Sequence, residues 1–529
     1  MATYPLVREV SDHLVGSLEN HDPVCFAWNN WWIHHALVDL HQKPYFTDFL
    51  LAPFPLDLRL HTIGLLYGLL SLPLVNPLGP IALVNLQILA TPVLNGYALF
   101  LLVRRWAGRS DVAVVCGAGL AMTPAIAFHL NAGRPSCGAV WSVALVLLFL
   151  VRLVELPRWR DALGLTASSL ALLAVDQQLA LFGGMLAAIY LACVAVVRPQ
   201  ALWNRRLLGR ATFVLLLVAY PIRVLYVRPF LQTFGYTVPD PGEALDYSVP
   251  PAYLLTRGLW TIYGGVLPLG LASAVAFARR DRKAMLAAAV TVAFCVLTLG
   301  PVWPGTRVPL PFALLRRLPG LSMFRTPYRF QIPAAITMTL VLARVMIKVQ
   351  SARWRSVVLG TAALVFMGQT VLRRATNGFD SHAVSVEPIY RTIAETPGDF
   401  SVLEIPFGVR SGSDVIGRFG DRLMLYQTTH HKRIFNGYLS RVPVAALAYY
   451  RASPAFMFLA GETPPPGDVS SDLDSRLRNL DVGYIVVHPE MIEAHRFAEI
   501  SALLNARSDL DILATGTTTR AFRVRRFVP

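Results

Sequence analysis

The chain has 529 residues, of which 54% are hydrophobic and 15% charged, with a mean hydropathy of +0.49. A soluble chain carries about 25% charged residues, so this composition excludes an ordinary soluble enzyme and indicates a polytopic α-helical membrane protein. The net charge of +16 would suit nucleic acid, but the basic residues fall in short clusters between apolar runs, the pattern of cytoplasmic loops, and a nucleic-acid partner is excluded. The five cysteines (Cys25, Cys116, Cys137, Cys193, Cys295) show no CxxC spacing, so neither a disulfide framework nor a zinc site is indicated.

In chain order, the first stretch of note is Asn20 to Leu60. It gathers Asp22, Asp39, Asp48 and Asp57 with His34, His35, His41, Trp28, Trp31 and Trp32. It is expected to lie on the membrane surface as an external loop. Leu58 to Val75 is apolar, but counting it as a span would invert every later loop, so an interfacial helix is expected there. Residues 1–78 thus form an external loop with amphipathic interface helices. No basic segment followed by an apolar run precedes them, so no signal peptide is expected. An external start requires either a first span upstream of Met1 or translocation by the first span present.

Residues 79–373 are expected to hold ten spans, at about 79–103, 110–128, 138–153, 162–176, 179–197, 211–228, 259–278, 284–302, 329–348 and 356–373, each a mostly apolar run. Arginine placement sets sidedness. Arg104, Arg105 and Arg109, then Arg158 and Arg160, then Arg198, Arg205, Arg206 and Arg210 mark one side, together with Arg279, Arg280, Arg282 and Lys283, and with Lys348, Arg353 and Arg355. The loops at 129–137, 176–178, 229–258 and 303–328 fall on the other, outer side. Residues 374–529 have shorter apolar runs and more charge. VLEIPFG (402–408) and VGYIVVHP (482–489) read as buried strands, 491–506 as an amphipathic helix, and DILATG with RAFRVRRF as a closing hairpin. A small extracytoplasmic α/β domain is predicted.

The pattern, carried by TYPLVREVSDHLVGSLENHDPVCFAWNNWW, TDFLLAPFPLDLRLHT, LPGLSMFRTPYRFQIPA, YQTTHHKRIFNGYLSR and LRNLDVGYIVVHPE, resembles the GT-C superfamily of polyprenyl-phosphate-dependent membrane glycosyltransferases. It looks most like a bacterial branch of that superfamily in which many members have no assigned reaction. The resemblance implies a GT-C-like helical fold in the cytoplasmic membrane and transfer of a sugar from a polyprenyl-phosphate donor to an acceptor on the outer face. It maps the superfamily's external acid onto Asp22, as general base or as ligand of a divalent cation, Mg or Mn. Here that acid stands in His-Asp-Pro, without a DxD or paired carboxylate. The rival readings are a non-catalytic GT-C-like protein of cell-envelope polymer assembly and a lipid or polysaccharide transporter.

Each candidate residue also has a structural reading. Asp22 can cap the helix that starts near Val24. Asp48 and Asp57 are candidates for metal or acceptor contact, or ordinary acids of an interface loop, with Arg59 or His61 as partners for Asp57. Asp176 either caps the next helix or points into a cavity. His129 and Arg134 lie in a short outer loop. Arg325 and Arg329 are external arginines that the charge rule disfavours, and a lipid-linked phosphate would account for them. The tryptophans suit a membrane-interface belt or sugar stacking. Residues 426–441 either pack the C-terminal domain onto the membrane part or cover the mouth of the site.

Overall fold

The computed structural model describes residues 3–525 except 17–20, 122, 232–234, 238–239, 241, 252–276, 278–279, 319–320, 350, 377–378, 419, 421 and 516–518. The chain opens with a short strand, β1 (His13–Val15), and then α1 (His21–His34). Two short paired strands follow, β2 (Phe46–Thr47) and β3 (Leu56–Asp57). Next come α2 (Leu65–Ser71) and α3 (Val75–Ala107), within which Gly79 breaks the helical backbone at φ 78°. The break falls where the first span is predicted to begin. The interface helix predicted at Leu58 to Val75 is shorter than expected, because residues 58–64 hold a 3₁₀ turn and extended backbone before α2.

α4 (Ser110–Ala121), α5 (Pro124–Asn131), α6 (Val140–Glu155), α7 (Trp159–Val175) and α8 (Gln177–Val197) continue the bundle. The helices Arg205–Ile222, Arg282–Thr298, Gln331–Met346 and Ala352–Thr376 complete the described part. Nine of the predicted spans fall on these helices, and the tenth, 259–278, lies almost wholly outside the described residues. Among the described residues, Leu65–Ala107, Gln177–Val197 and Arg205–Val227 are long and apolar enough to cross a membrane, and Ser110–Ala121 with Pro124–Asn131 forms a bent fourth candidate. Four others run only 16 or 17 residues, roughly 25 Å at 1.5 Å per residue.

Exposed apolar side chains separate outer from inner helices. Leu215, Leu216 and Tyr220 are 66%, 72% and 71% exposed, while in Gln331–Met346 Ile332, Ala334, Ala335, Ile336 and Met338 are buried. Apolar exposure on that scale suits a lipid surround. The predicted arginine-rich ends pair with one another: Arg105 with Glu155, Arg355 with Asp111 at 3.6 Å, and Arg344 and Lys348 with Asp281 at 2.8 and 3.4 Å.

Beyond residue 380 the chain forms β4 (Ser381–Ala383), β5 (Ser401–Ile405), β6 (Gly408–Arg410), β7 (Val415–Gly417), β8 (Arg433–Ile434), β9 (Gly437–Tyr438), β10 (Val482–Val487), β11 (Leu510–Thr515) and β12 (Arg520–Val524). One sheet runs β11-β12-β10-β5-β8, with β5 parallel to β10 and to β8 and the β11–β12 hairpin antiparallel at the edge. A smaller sheet runs β7-β6-β9. The two predicted strands are thus neighbours at the centre of the larger sheet, and every residue of both is buried, as expected for strands covered on both faces.

This region is fastened to the N-terminal stretch. β1 pairs with β4. The helix Arg422–His430 packs on α1, where Trp28 Nε1 donates to Gln427 Oε1 at 2.8 Å. Gln427 in turn donates to Phe49 O at 2.6 Å and to Lys432 O at 2.9 Å. Trp28 and Trp32 are stacked 5.7 Å apart, and both, like Trp31, are buried. This overturns their placement in an interface belt. The C-terminal region covers α1, so these rings form a core instead of meeting headgroups.

Candidate active site

α1 carries Asp22 in its first turn, and the loop after α5 comes up against it. Gly133 has φ +72°, and a Cβ there would lie 2.5 Å from Pro23 Cβ. Only glycine allows both the turn and that approach. The next residue, Arg134, then reaches Asp22: its Nε and Nη2 donate to the same carboxylate oxygen, Oδ2, at 2.7 and 2.5 Å. Charge-assisted bonds of this kind are about twice as strong as neutral ones.

Asp176 ends α7 and caps α8, accepting from the backbone of Gln178 and Leu179 at 2.8 and 2.9 Å. Its other oxygen faces Cys137 Sγ at 3.5 Å. Arg329, in the turn before Gln331–Met346, donates to the Gln178 side chain and lies over the Tyr328 ring. Arg134 and Arg329 are close enough for their charges to repel. Among the described residues no carboxylate stands within ion-pair distance of Arg329.

Arg325 is placed differently. It pairs with Glu243 at 2.8 Å, donates to the Gly412 carbonyl, and lies over the Tyr247 ring. The acid that meets it comes from the loop at 229–258. From the C-terminal region, Arg410 at the end of β6 and Tyr438, Ser440 and Arg441 at and after β9 complete this wall. Burial pushes the Tyr438 hydroxyl up to about 12. Burial, with Arg325 alongside, lowers Arg441 to about 10, so it stays charged at neutral pH. His61 ties the two regions together. Its Nδ1 accepts from the Ser440 backbone at 3.1 Å and its Nε2 faces Cys25 Sγ at 3.1 Å.

These groups enclose one cavity of about 830 Å³, the size of a small-molecule site. Asp22, Arg134, Asp176, Arg325 and Arg329 all line it, with His61, Arg410 and Arg441. Its other end is apolar. Ala180, Leu181, Gly184, Met185 and Ala188 recur at helical spacing along one face of α8, opposite Ile222, Val227 and Leu231.

Three candidates stand outside the cavity lining. Asp57 is held by Arg59 at 2.5 Å and caps the following 3₁₀ turn. Asp48 lies 3.7 Å from Arg433. His129 is buried behind the site and stacks on Tyr328. Sequence reasoning singled out neither Arg410 nor the cavity role of His61. Arg410 has no local signature, and it reaches the site only through the β6–β9 pairing.

A divalent cation at Asp22 does not fit this donor set. Among the described residues no group of three or more His, Cys, Asp or Glu side chains is placed to hold a metal. The charge at Asp22 is already met by a guanidinium.

No protein-family model and no curated protein matches the sequence. Solved structures do match. An oligosaccharyltransferase of Archaeoglobus fulgidus, solved with a tethered acceptor peptide, shares 13% identity over 96% of this chain and 70% of its own, with a TM-score of 0.51. ArnT of Cupriavidus metallidurans, bound to undecaprenyl phosphate, shares 14% identity over 98% of this chain and 95% of its own, with a TM-score of 0.50. At these identities the likeness is one of fold.

Proposed function

We propose that this chain, whose fold is that of the GT-C membrane glycosyltransferases, moves a sugar from a polyprenyl-phosphate donor to an acceptor hydroxyl at the outer face of the cytoplasmic membrane. The observation that carries the proposal is the two-part cavity: charged groups at one end, and an apolar groove along α8 at the other. A lipid-linked sugar phosphate has the same two parts. The undecaprenyl phosphate bound to ArnT is a ligand of that chemistry.

On this reading the isoprenoid tail lies along the α8 face and Arg329 holds the donor phosphate, with Gln178 and Tyr328 fixing its guanidinium. Arg suits a phosphate because its planar fork donates two parallel hydrogen bonds. Asp22 is the general base. It takes the proton of the acceptor hydroxyl as that oxygen bonds to the anomeric carbon. The bond from that carbon to the phosphate oxygen breaks, and polyprenyl phosphate leaves. Arg134 orients Asp22 through the paired donors Nε and Nη2.

The decisive experiment uses purified protein in lipid nanodiscs with undecaprenyl-phosphate sugars. Arg329→Ala should abolish the thermal stabilisation given by undecaprenyl phosphate, which a ligand selective for the folded state produces. Asp22→Asn should keep that stabilisation and lose transfer by about 100-fold or more. Wild-type turnover by Asp22→Asn would remove Asp22 from the mechanism. One observation favours a second reading, a non-catalytic GT-C-like protein: Arg134 engages Asp22 through two donors. Lipid binding without transfer to any acceptor would select it.

A further inference from the structure

The arginines of the cavity fall into two groups on different elements. Arg134 and Arg329 lie with Asp22 and Asp176. Arg325 and Arg441 converge instead over Gly412. A Cβ at Gly412 would lie 2.8 Å from Arg441 Nη1 and 3.1 Å from Arg325 Nη2. Arg410 lines the same wall two residues away, and among the described residues its guanidinium makes no hydrogen bond or ion pair.

Like charges held this close in a partly buried cavity are costly unless an anion joins them. Glu243 pairs with Arg325 at 2.8 Å and its charge also reaches Arg441, a single acid among three guanidiniums. The donor's phosphodiester brings a single negative charge, which Arg329 already accounts for. Resting on the glycosyltransferase reading, we propose that the acceptor is anionic, and that Arg325, Arg410 and Arg441 hold its phosphate or carboxylate group at Gly412. The acceptor hydroxyl would then be presented to Asp22, whose charge acts on the neighbouring Tyr438.

The test uses the full chain in nanodiscs saturated with undecaprenyl phosphate and titrated with inorganic phosphate. Phosphate should bind saturably in addition to the lipid. Arg410→Gln and Arg441→Gln should each weaken it at least tenfold while shifting lipid affinity less than twofold. Glu243→Gln should tighten it severalfold, and this variant serves even if the arginine variants fold poorly. Competition between phosphate and lipid, or indifference to all three substitutions, would overturn the proposal. Undecaprenyl diphosphate supplies the remaining arm. If the arginine variants weaken it tenfold and spare the monophosphate, the anion belongs to the donor and the acceptor assignment is overturned. Loss of all undecaprenyl phosphate binding would instead count against the glycosyltransferase reading, while phosphate titration without lipid still decides the anion site.

Discussion

At the scale of residues, several polar side chains fasten one region to another. Gln427 is fully buried and meets Trp28, Phe49 and Lys432 at once. Gln427→Ala would leave the Trp28 indole N–H and the Lys432 carbonyl unpaired, while Phe49 O keeps the Ile434 N–H, and should cost about 1–3 kcal/mol, visible as a lower Tm or denaturant midpoint. His430 makes a different prediction. It is buried against Tyr390, its Nδ1 accepts from the Lys432 backbone at 3.0 Å, and its Nε2 has no partner among the described residues. Burial, then His431 and Lys432, push it from 6.5 down to about 3. A depressed pKa means the unfolded chain binds the proton more readily, so stability is full above pH 6.5 and falls as the pH drops towards 3. The loss should be on the order of a few kcal/mol, and thermal melts of His430→Gln should show a shallower pH slope. The Asp22 carboxylate was legible in the sequence as a candidate, but its Arg134 partner was not tied to it. They are 112 positions apart, and no local pattern joins them.

At the scale of elements, α8 is the one that makes the cavity amphipathic. Its polar start caps on Asp176 and its apolar face runs down the groove. Two adjacent glycines on it should behave oppositely. A Cβ at Gly184 meets nothing within 4 Å, whereas one at Gly183 lies 2.6 Å from Leu172 Cδ2. Gly184→Leu should preserve stability and weaken undecaprenyl phosphate binding about tenfold by filling the groove. Gly183→Leu should destabilise the α7–α8 packing by about 1–3 kcal/mol. Equal Tm values for the two variants would contradict this arrangement. The helices themselves were readable from apolar run length, and β5 and β10 from short buried runs ended by Pro or Gly. The burial of the Trp28–Trp32 face was not, because an aromatic stripe looks alike whether it meets headgroups or protein.

At the scale of the whole molecule, the first and last parts of the chain form one structure. β1 pairs with β4, α1 is covered by Arg422–His430, and the cavity takes lining residues from both regions. A chain ending at Thr376 should therefore expose the tryptophan core, aggregate on purification and bind no undecaprenyl phosphate. A monodisperse, lipid-binding truncate would show the regions to be independent. Composition and arginine spacing by themselves determined the membrane class, nine helix positions and the grouping of the loops at 129–137, 176–178, 229–258 and 303–328, because hydropathy and charge act locally along the chain. Which of the loop residues share a cavity was decided only by the tertiary structure. Asp22, Arg134, Asp176 and Arg329 meet Arg410 and Arg441 through helix packing and strand pairing across hundreds of residues, and contacts of that range leave no periodicity in the sequence.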